Sequence, residues 1–291
     1  MASSILNNHS ESKVSSPGDL PLLLQKPRKW TYKHLEVARV KLSENVTTEE
    51  LLGQDYVPVD GDPEFETFAK IFCAPTRKQL ESGDVRSFYH LHNGGLSSTF
   101  NRLWNISLYD IESVVNSGTL RSVLDDVIGQ IILRTKARKR LHLLWEGTIP
   151  FEIPQLKFRG QTYADGTLMG YNKDDGGFNI PLAFLSIVKE SGDDGIAKYQ
   201  VPQTLFPAII SYSRNPKLSE YHGHAICYDG VYMYVCKAIV SSAYMEALCK
   251  HGSVTEDLRF YRSEPFEVLE PAGRRGFIRL IVTLFRYLSQ D

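Results

Sequence analysis

Between Gln155 and Tyr234 the chain reads YADGTLMG (163–170), DDGG (174–177), PLAFLSIVK (181–189), YQVPQTLFPAII (199–210) and AICYDGVYMY (225–234). The first and third runs have the length and alternation of strands, and DDGG between them is a turn. In the fourth run Tyr199, Leu205, Ile209 and Ile210 suit a helix opened by Asp193-Asp194, which Pro202 and Pro207 are expected to break or kink. Asp229-Gly230, flanked by apolar runs, is a hairpin signal. Strand, turn, strand, helix, hairpin is an α/β order, and it sets the reading of the rest.

Upstream, a helix is expected from Thr119 to about Lys136, with Leu120, Val123, Leu124, Val127 and Ile131 on one stripe. It ends in Arg134, Lys136, Arg138, Lys139 and Arg140. Cations suit a helix C-terminus; phosphate binding and nuclear import are the other roles open to the cluster. Leu141–Trp145 continues the helix or starts a buried strand, and a further strand lies near Leu156–Arg159. Downstream, Phe277, Leu280, Ile281, Leu284 and Leu288 mark a helix from about Arg275 to Leu288.

On the N-terminal side the residues read as short helices. Thr47 caps one that ends at Gly53, Asp62-Pro63 opens another, Thr76 caps a third, and Ser97–Trp104 forms one more. Partial alternation over Trp30–Leu42 suits a strand. Residues 1–27, rich in Ser, Asn and Pro, are expected to be a disordered tail. The expected organisation is therefore a tail (1–27), a smaller mostly helical region (28–109) and an α/β domain (110–291). That domain holds a mixed sheet of about five strands flanked by helices.

Composition limits the function classes. With 33 basic and 34 acidic residues the net charge is −1, so only a local patch can attract a polyanion. Four cysteines without a C-x-x-C pair point to reduced thiols and an intracellular protein, the nucleus included. No window approaches the roughly 18 apolar residues that span a bilayer, so no membrane partner is expected, and no secretory signal is read at the N-terminus. Asn45 and Asn105 head chance glycosylation sequons. Nucleotide-binding, serine-hydrolase and zinc-protease motifs are missing. His222-Gly-His224 with Cys227 is the one arrangement that could begin a zinc site, and His90-Leu-His92 has no matching second cluster. Cys249 reads as an inert thiol, and the hairpin tyrosines as filling a sheet face.

The segment Tyr163-Ala-Asp165-Gly, the run Ala183-Phe-Leu-Ser-Ile-Val-Lys189, the helix start Tyr199-Gln-Val-Pro-Gln203 and the hairpin 226–234 together resemble the PD-(D/E)XK nuclease family. They are most similar to fungal and oomycete nuclease-like domains of the kinase-associated or Crinkler-effector type. The resemblance spans roughly residues 110–291 and implies a restriction-endonuclease-like fold. It implies Asp165 as a metal ligand, Lys189 as stabiliser of the attacking water, and Gln203 as a residue that orients water or contacts phosphate. Mg²⁺ is the implied cofactor, and the backbone of a nucleic acid would meet the 134–140 cluster.

One departure decides the functional expectation. Residues 185, 187 and 189 share a strand face, and the family's second acid belongs at position 187, which is Ile. Glu190 lies on the opposite face. A migrated acid would have to come from Glu112, Asp126 or Glu146. The expectation is a degenerate nuclease-like module, effector or regulatory, acting through a protein or nucleic-acid partner. The alternative is an active Mg²⁺-dependent endonuclease.

Overall fold

The computed structural model describes residues 23, 29–84, 96–108, 118–153, 158–172, 176–187, 196–251 and 254–290. Lys189 and Glu190, Glu112, the Asp193-Asp194 pair, Asp174-Asp175 and the 90–95 stretch lie outside them.

The segment expected to be one strand over Trp30–Leu42 is a helix followed by a strand. Helix α1 (Tyr32–Val37) is closed at its start by the Thr31 N–H, which donates to His34 Nδ1 at 2.9 Å. Arg39, with φ 52°, turns the chain into β1 (Val40–Val46). The side-chain caps read from sequence are in place. Thr47 accepts from the Glu50 N–H at the start of α2 (Thr48–Leu52), Asp62 from the Glu64 N–H before α3 (Pro63–Phe72), and Thr76 from the Gln79 N–H before α4 (Arg77–Ser82). Helices α5 (Ser97–Leu108) and α6 (Thr119–Arg134) follow, then a 3-10 turn at Lys136–Lys139.

Strands β2 (Leu141–Ile153), β3 (Phe158–Asn172) and β4 (Gly177–Ile187) form an antiparallel meander. Helix α7 (Ile196–Arg214) carries the chain over to β5 (Glu220–Asp229), which lies parallel to β4. The hairpin β5–β6 (Tyr232–Ser241) turns at Gly230, whose φ of 59° suits glycine. Helix α8 (Ser242–His251), β7 (Leu258–Ser263), β8 (Phe266–Glu267) and α9 (Pro271–Leu288) complete the described chain.

The fold is α/β with a mixed sheet, but the sheet is larger than the expected five strands. The described residues build eight strands in the order β1-β7-β6-β5-β4-β3-β2, with β8 beside β6. The additional strands lie outside the decisive stretch. β1 comes from the N-terminal region and pairs in parallel with β7, so that region shares the sheet with the rest of the chain.

Helices cover both faces, as alternation requires. Ala183, Leu185, Ile226 and Val235 join a first core with α3, α5, α6 and α9; Phe184, Ala225, Cys227 and Cys236 join a second with α1, α7 and α8. Leu23, within the expected tail, is fully buried in the second core.

Helix α7 runs unbroken through Pro202 and Pro207, against the expected break. An interior proline costs about 3 kcal/mol, and here burial offsets that cost. Val201, Leu205, Phe206, Ala208, Ile209 and Ile210 are all buried, and the Thr204 hydroxyl donates to the Val201 carbonyl at 2.8 Å. The helix lies so close to β5 that a Cβ at Gly223 would sit 1.7 Å from the Thr204 carbonyl oxygen. That is the reason for glycine in the middle of His222-Gly-His224.

Candidate functional site

Asp165 sits in β3 beside the end of β4. Gly166 pairs with Leu185, and a Cβ on Gly166 would lie 3.1 Å from Leu185 Cδ2 and 3.3 Å from the Leu144 carbonyl oxygen, so β2, β3 and β4 close up tightly at this point. Leu168 belongs to the first core and Ala164 to the second, although they are four positions apart. Positions four apart on a flat strand share a face, so β3 coils from one layer to the other around Asp165.

The partly buried Asp165 carboxylate accepts a hydrogen bond from the Ile187 main-chain N–H at 2.9 Å. The Ile187 side chain packs on the first core with Ala183 and Leu185, which is the strand parity read from the sequence. Gln203, on α7, donates from Nε2 to the Tyr163 carbonyl at 3.4 Å, two residues from Asp165. Its Oε1 is buried and has no hydrogen-bond partner among the described residues. The structure thus brings Asp165, the end of β4 and Gln203 to one neighbourhood.

Two candidates for a migrated acid can be placed. Asp126 ties α5 to α6: its Oδ2 accepts from the Thr99 hydroxyl at 2.7 Å and the Ser98 hydroxyl at 3.2 Å, and it pairs with Arg102. Glu146 falls between the β2–β3 pairs Trp145↔Gly166 and Gly147↔Ala164, so its register position is across from Asp165.

The basic cluster borders a groove of about 890 Å³ between the end of α6, the following 3-10 turn and the end of α9. Arg134, Lys136 and Arg140 line it together with Arg286; Leu133 and Phe285 add apolar surface, and Asp55 and Glu64 are the acids on its wall. Arg134 bonds Gln130 and lies 5.8 Å from the centroid of the Phe68 ring. Arg140 donates to the Ser289 carbonyl, and the Lys136 main-chain N–H donates to Glu64 Oε1 at 3.0 Å. Arg138 and Lys139 belong to the same 3-10 turn. The α6 C-terminus alone therefore does not account for Arg134, Lys136 and Arg140, which line a concave surface shared with α9.

The sequence reading missed Arg286, which donates to Asp62 Oδ2 at 2.6 Å and Glu64 Oε2 at 3.0 Å. Burial pushes the Asp62 carboxyl up, but the Arg286 guanidinium together with the Glu64 and Phe65 main-chain N–H groups more than offsets it and holds the group below the usual carboxylate range. The only signal was a basic residue on the polar side of an amphipathic helix, which normally means solvent.

The zinc arrangement does not form. His222 and His224 lie on the sheet face opposite Cys227, whose thiol points into the second core, 3.9 Å from that of Cys236. Burial, then the neighbouring Cys236 thiol, pushes the Cys227 thiol well above its ordinary range. Among the described residues no group of three or more His, Cys, Asp or Glu is arranged to hold a metal ion, and no helix is long and apolar enough to cross a membrane.

A scan against protein-family models finds no match to this chain, and a search of curated proteins finds none either.

Proposed function

We propose that this chain is a nuclease-like module of the PD-(D/E)XK type that binds a nucleic-acid backbone through its basic groove and does not cut it. One observation carries the reading. The residue at the place of the family's second acid, Ile187, packs its partly buried side chain against the first core and uses its main-chain N–H to hold the Asp165 carboxylate. Replacing an anionic oxygen ligand by hydrocarbon removes charge and coordination together, so Mg²⁺ would bind weakly there. The order of strands, helix and hairpin around Asp165 supports the family resemblance, and the cations on the groove support a polyanionic partner. A regulatory or effector role would then run through binding.

The test is incubation of the full chain with labelled single- and double-stranded DNA and RNA, in Mg²⁺ and in Mn²⁺, over a salt series. The expected result is no cleavage and retention that weakens as salt rises. In a triple variant Arg134→Glu, Lys136→Glu, Arg140→Glu the slope of log affinity against log salt should fall by about 2–3, one phosphate contact for each lost cation. No retention at low salt, or a slope unchanged in the triple variant, would remove the groove from the reading.

A second reading, an active Mg²⁺-dependent endonuclease, is favoured by the register that sets Glu146 across from Asp165. Asp and Glu are the residue types whose oxygens hold such a cation. Cleavage that disappears in Asp165→Ala, Lys189→Ala and Glu146→Gln would establish that reading in place of the first.

A further inference from the structure

Tyr287, in the last turn of α9, is held from several directions. Its hydroxyl lies 2.6 Å from His222 Nδ1, the Lys237 ammonium is 4.7 Å from its ring centroid, and the His224 ring meets it edge-on at 5.3 Å. From the other side the Tyr56 ring meets it at 5.4 Å. Lys237 in turn donates to the Leu51 carbonyl at 3.1 Å. Just beyond Tyr287, the Ser289 carbonyl accepts from Arg140 and the Gln290 side chain accepts from the Tyr56 hydroxyl. The clamp on Tyr287 therefore holds the chain segment that walls the basic groove.

The clamp is built from groups that are costly to charge. His224 and Lys237 sit directly opposite each other on β5 and β6, and they are 2% and 7% exposed. Neither ring nitrogen of His224, nor His222 Nε2, makes a hydrogen bond of ordinary geometry among the described residues. The charged and titratable groups bearing on His224 are Lys237 and His222. On the rim, Glu220 lies 3.7 Å from His222 Nε2 and is itself paired with Arg259. The other groups around the latch are the Leu182 backbone beside His224, the Leu51 carbonyl on Lys237 and the two tyrosines.

We propose that His222, His224 and Lys237 form an acid-operated latch on Tyr287, in which protonation of the histidines releases the last turn of α9 and opens the wall of the groove. The latch does not depend on what the groove binds.

The direction follows from electrostatics. A proton on His224 would place a second cation across the ladder from Lys237 between two buried side chains. Burial first, then Lys237 and His222, holds the His224 imidazole well below its ordinary 6.5, with the Leu182 backbone pulling the other way. Burial and Lys237 lower His222 as well, with Glu220 pulling the other way. Both histidines are therefore neutral in the closed form and regain an ordinary affinity for protons when it opens. Their contribution to closure is complete above pH 6.5 and is lost as the pH falls below it. One such histidine shifts the open-to-closed ratio by up to about tenfold per pH unit, or roughly thirtyfold between pH 6.5 and 5.0.

Amide hydrogen exchange on the full chain tests this. The peptide covering 282–290 is followed at pH 7.5 and 5.0, with rates corrected for intrinsic pH dependence and the α6 peptide 120–132 as internal reference. The expected result is an opening constant for 282–290 that rises about thirtyfold or more on acidification while the reference changes little. His224→Gln should cut the rise to a few-fold, and Tyr287→Phe should raise opening at both pH values while keeping the pH response. If His224→Gln does not fold, Lys237→Met replaces it: removing the neighbouring cation should shrink the response. An unchanged 282–290 peptide, an equal rise in the reference helix, or a full response in the His224→Gln or Lys237→Met variant would overturn the latch.

Discussion

The main-chain N–H of Ile187 and the side chain of Asp165 are joined across β3 and β4 by a 2.9 Å hydrogen bond. The carboxylate is thereby part of the sheet, whatever else it does. Removing it leaves a partly buried N–H unmet, which costs about 1–2 kcal/mol. Asp165→Ala should therefore lower the urea midpoint, and Asp165→Asn, which keeps an acceptor, should lower it less. Salt-dependent retention by the groove should be unaffected. Equal stability of Asp165→Ala and the native chain would remove the structural role.

Ile187→Glu puts a carboxylate on the face that packs on the first core. In EDTA the variant should lose about 1–3 kcal/mol from burying a polar group. If the site keeps the geometry of its family resemblance, millimolar Mg²⁺ or Mn²⁺ should raise the melting temperature of this variant and leave the native chain unchanged. A variant blind to both ions would show that the geometry as well as the acid is gone.

Gly223→Ala should be among the most damaging small substitutions. The new Cβ would sit 1.7 Å from the Thr204 carbonyl oxygen and 2.8 Å from its carbon, both main-chain atoms of α7. No rotamer relieves that contact, so the helix must lift from β5. A loss of about 3 kcal/mol or more is expected, read as a fallen urea midpoint or as insoluble protein. Native-like stability would mean that α7 packs farther from β5.

Arg274→Met tests a different kind of tie. Arg274 is fully buried and donates to the carbonyls of Phe72 at 2.9 Å, Val268 at 2.8 Å and Leu269 at 2.9 Å, and also to that of Pro75. It thus fastens the end of α3 to the start of α9. Burial lowers its guanidinium to about 10, so it is charged at neutral pH. Methionine fills similar volume but leaves the carbonyls unmet, at a cost of about 3–5 kcal/mol. A loss below about 1 kcal/mol in a calorimetric scan would show that the carbonyls find other partners.

Leu23 packs in the second core with no exposed surface. Leu23→Ala should cost about 2–3 kcal/mol, and a chain starting at Lys29 should melt several degrees lower than the full chain. An unchanged melting temperature in both would show that this contact contributes nothing.

What the sequence by itself determined is local. The Thr47, Asp62 and Thr76 caps, the β5–β6 hairpin at Asp229-Gly230, the parity that puts Ile187 with Leu185 and the apolar stripe of α6 all depend on residues within a few positions of one another, where backbone sterics and side-chain spacing decide the outcome. The tertiary structure alone decided what distant residues do. The sheet reached eight strands because β1 found β7 across some 200 residues of chain, a pairing that no local period announces. Pro202 and Pro207 read locally as breakers, yet packing on β5 kept α7 whole, because buried apolar area outweighs two missing N–H groups. Arg134, Lys136 and Arg140 became a groove wall only where α9 ends beside them, and His222, His224, Lys237 and Tyr287 met only in the folded molecule. Their energetics are those of burial, and burial is set by which elements pack together.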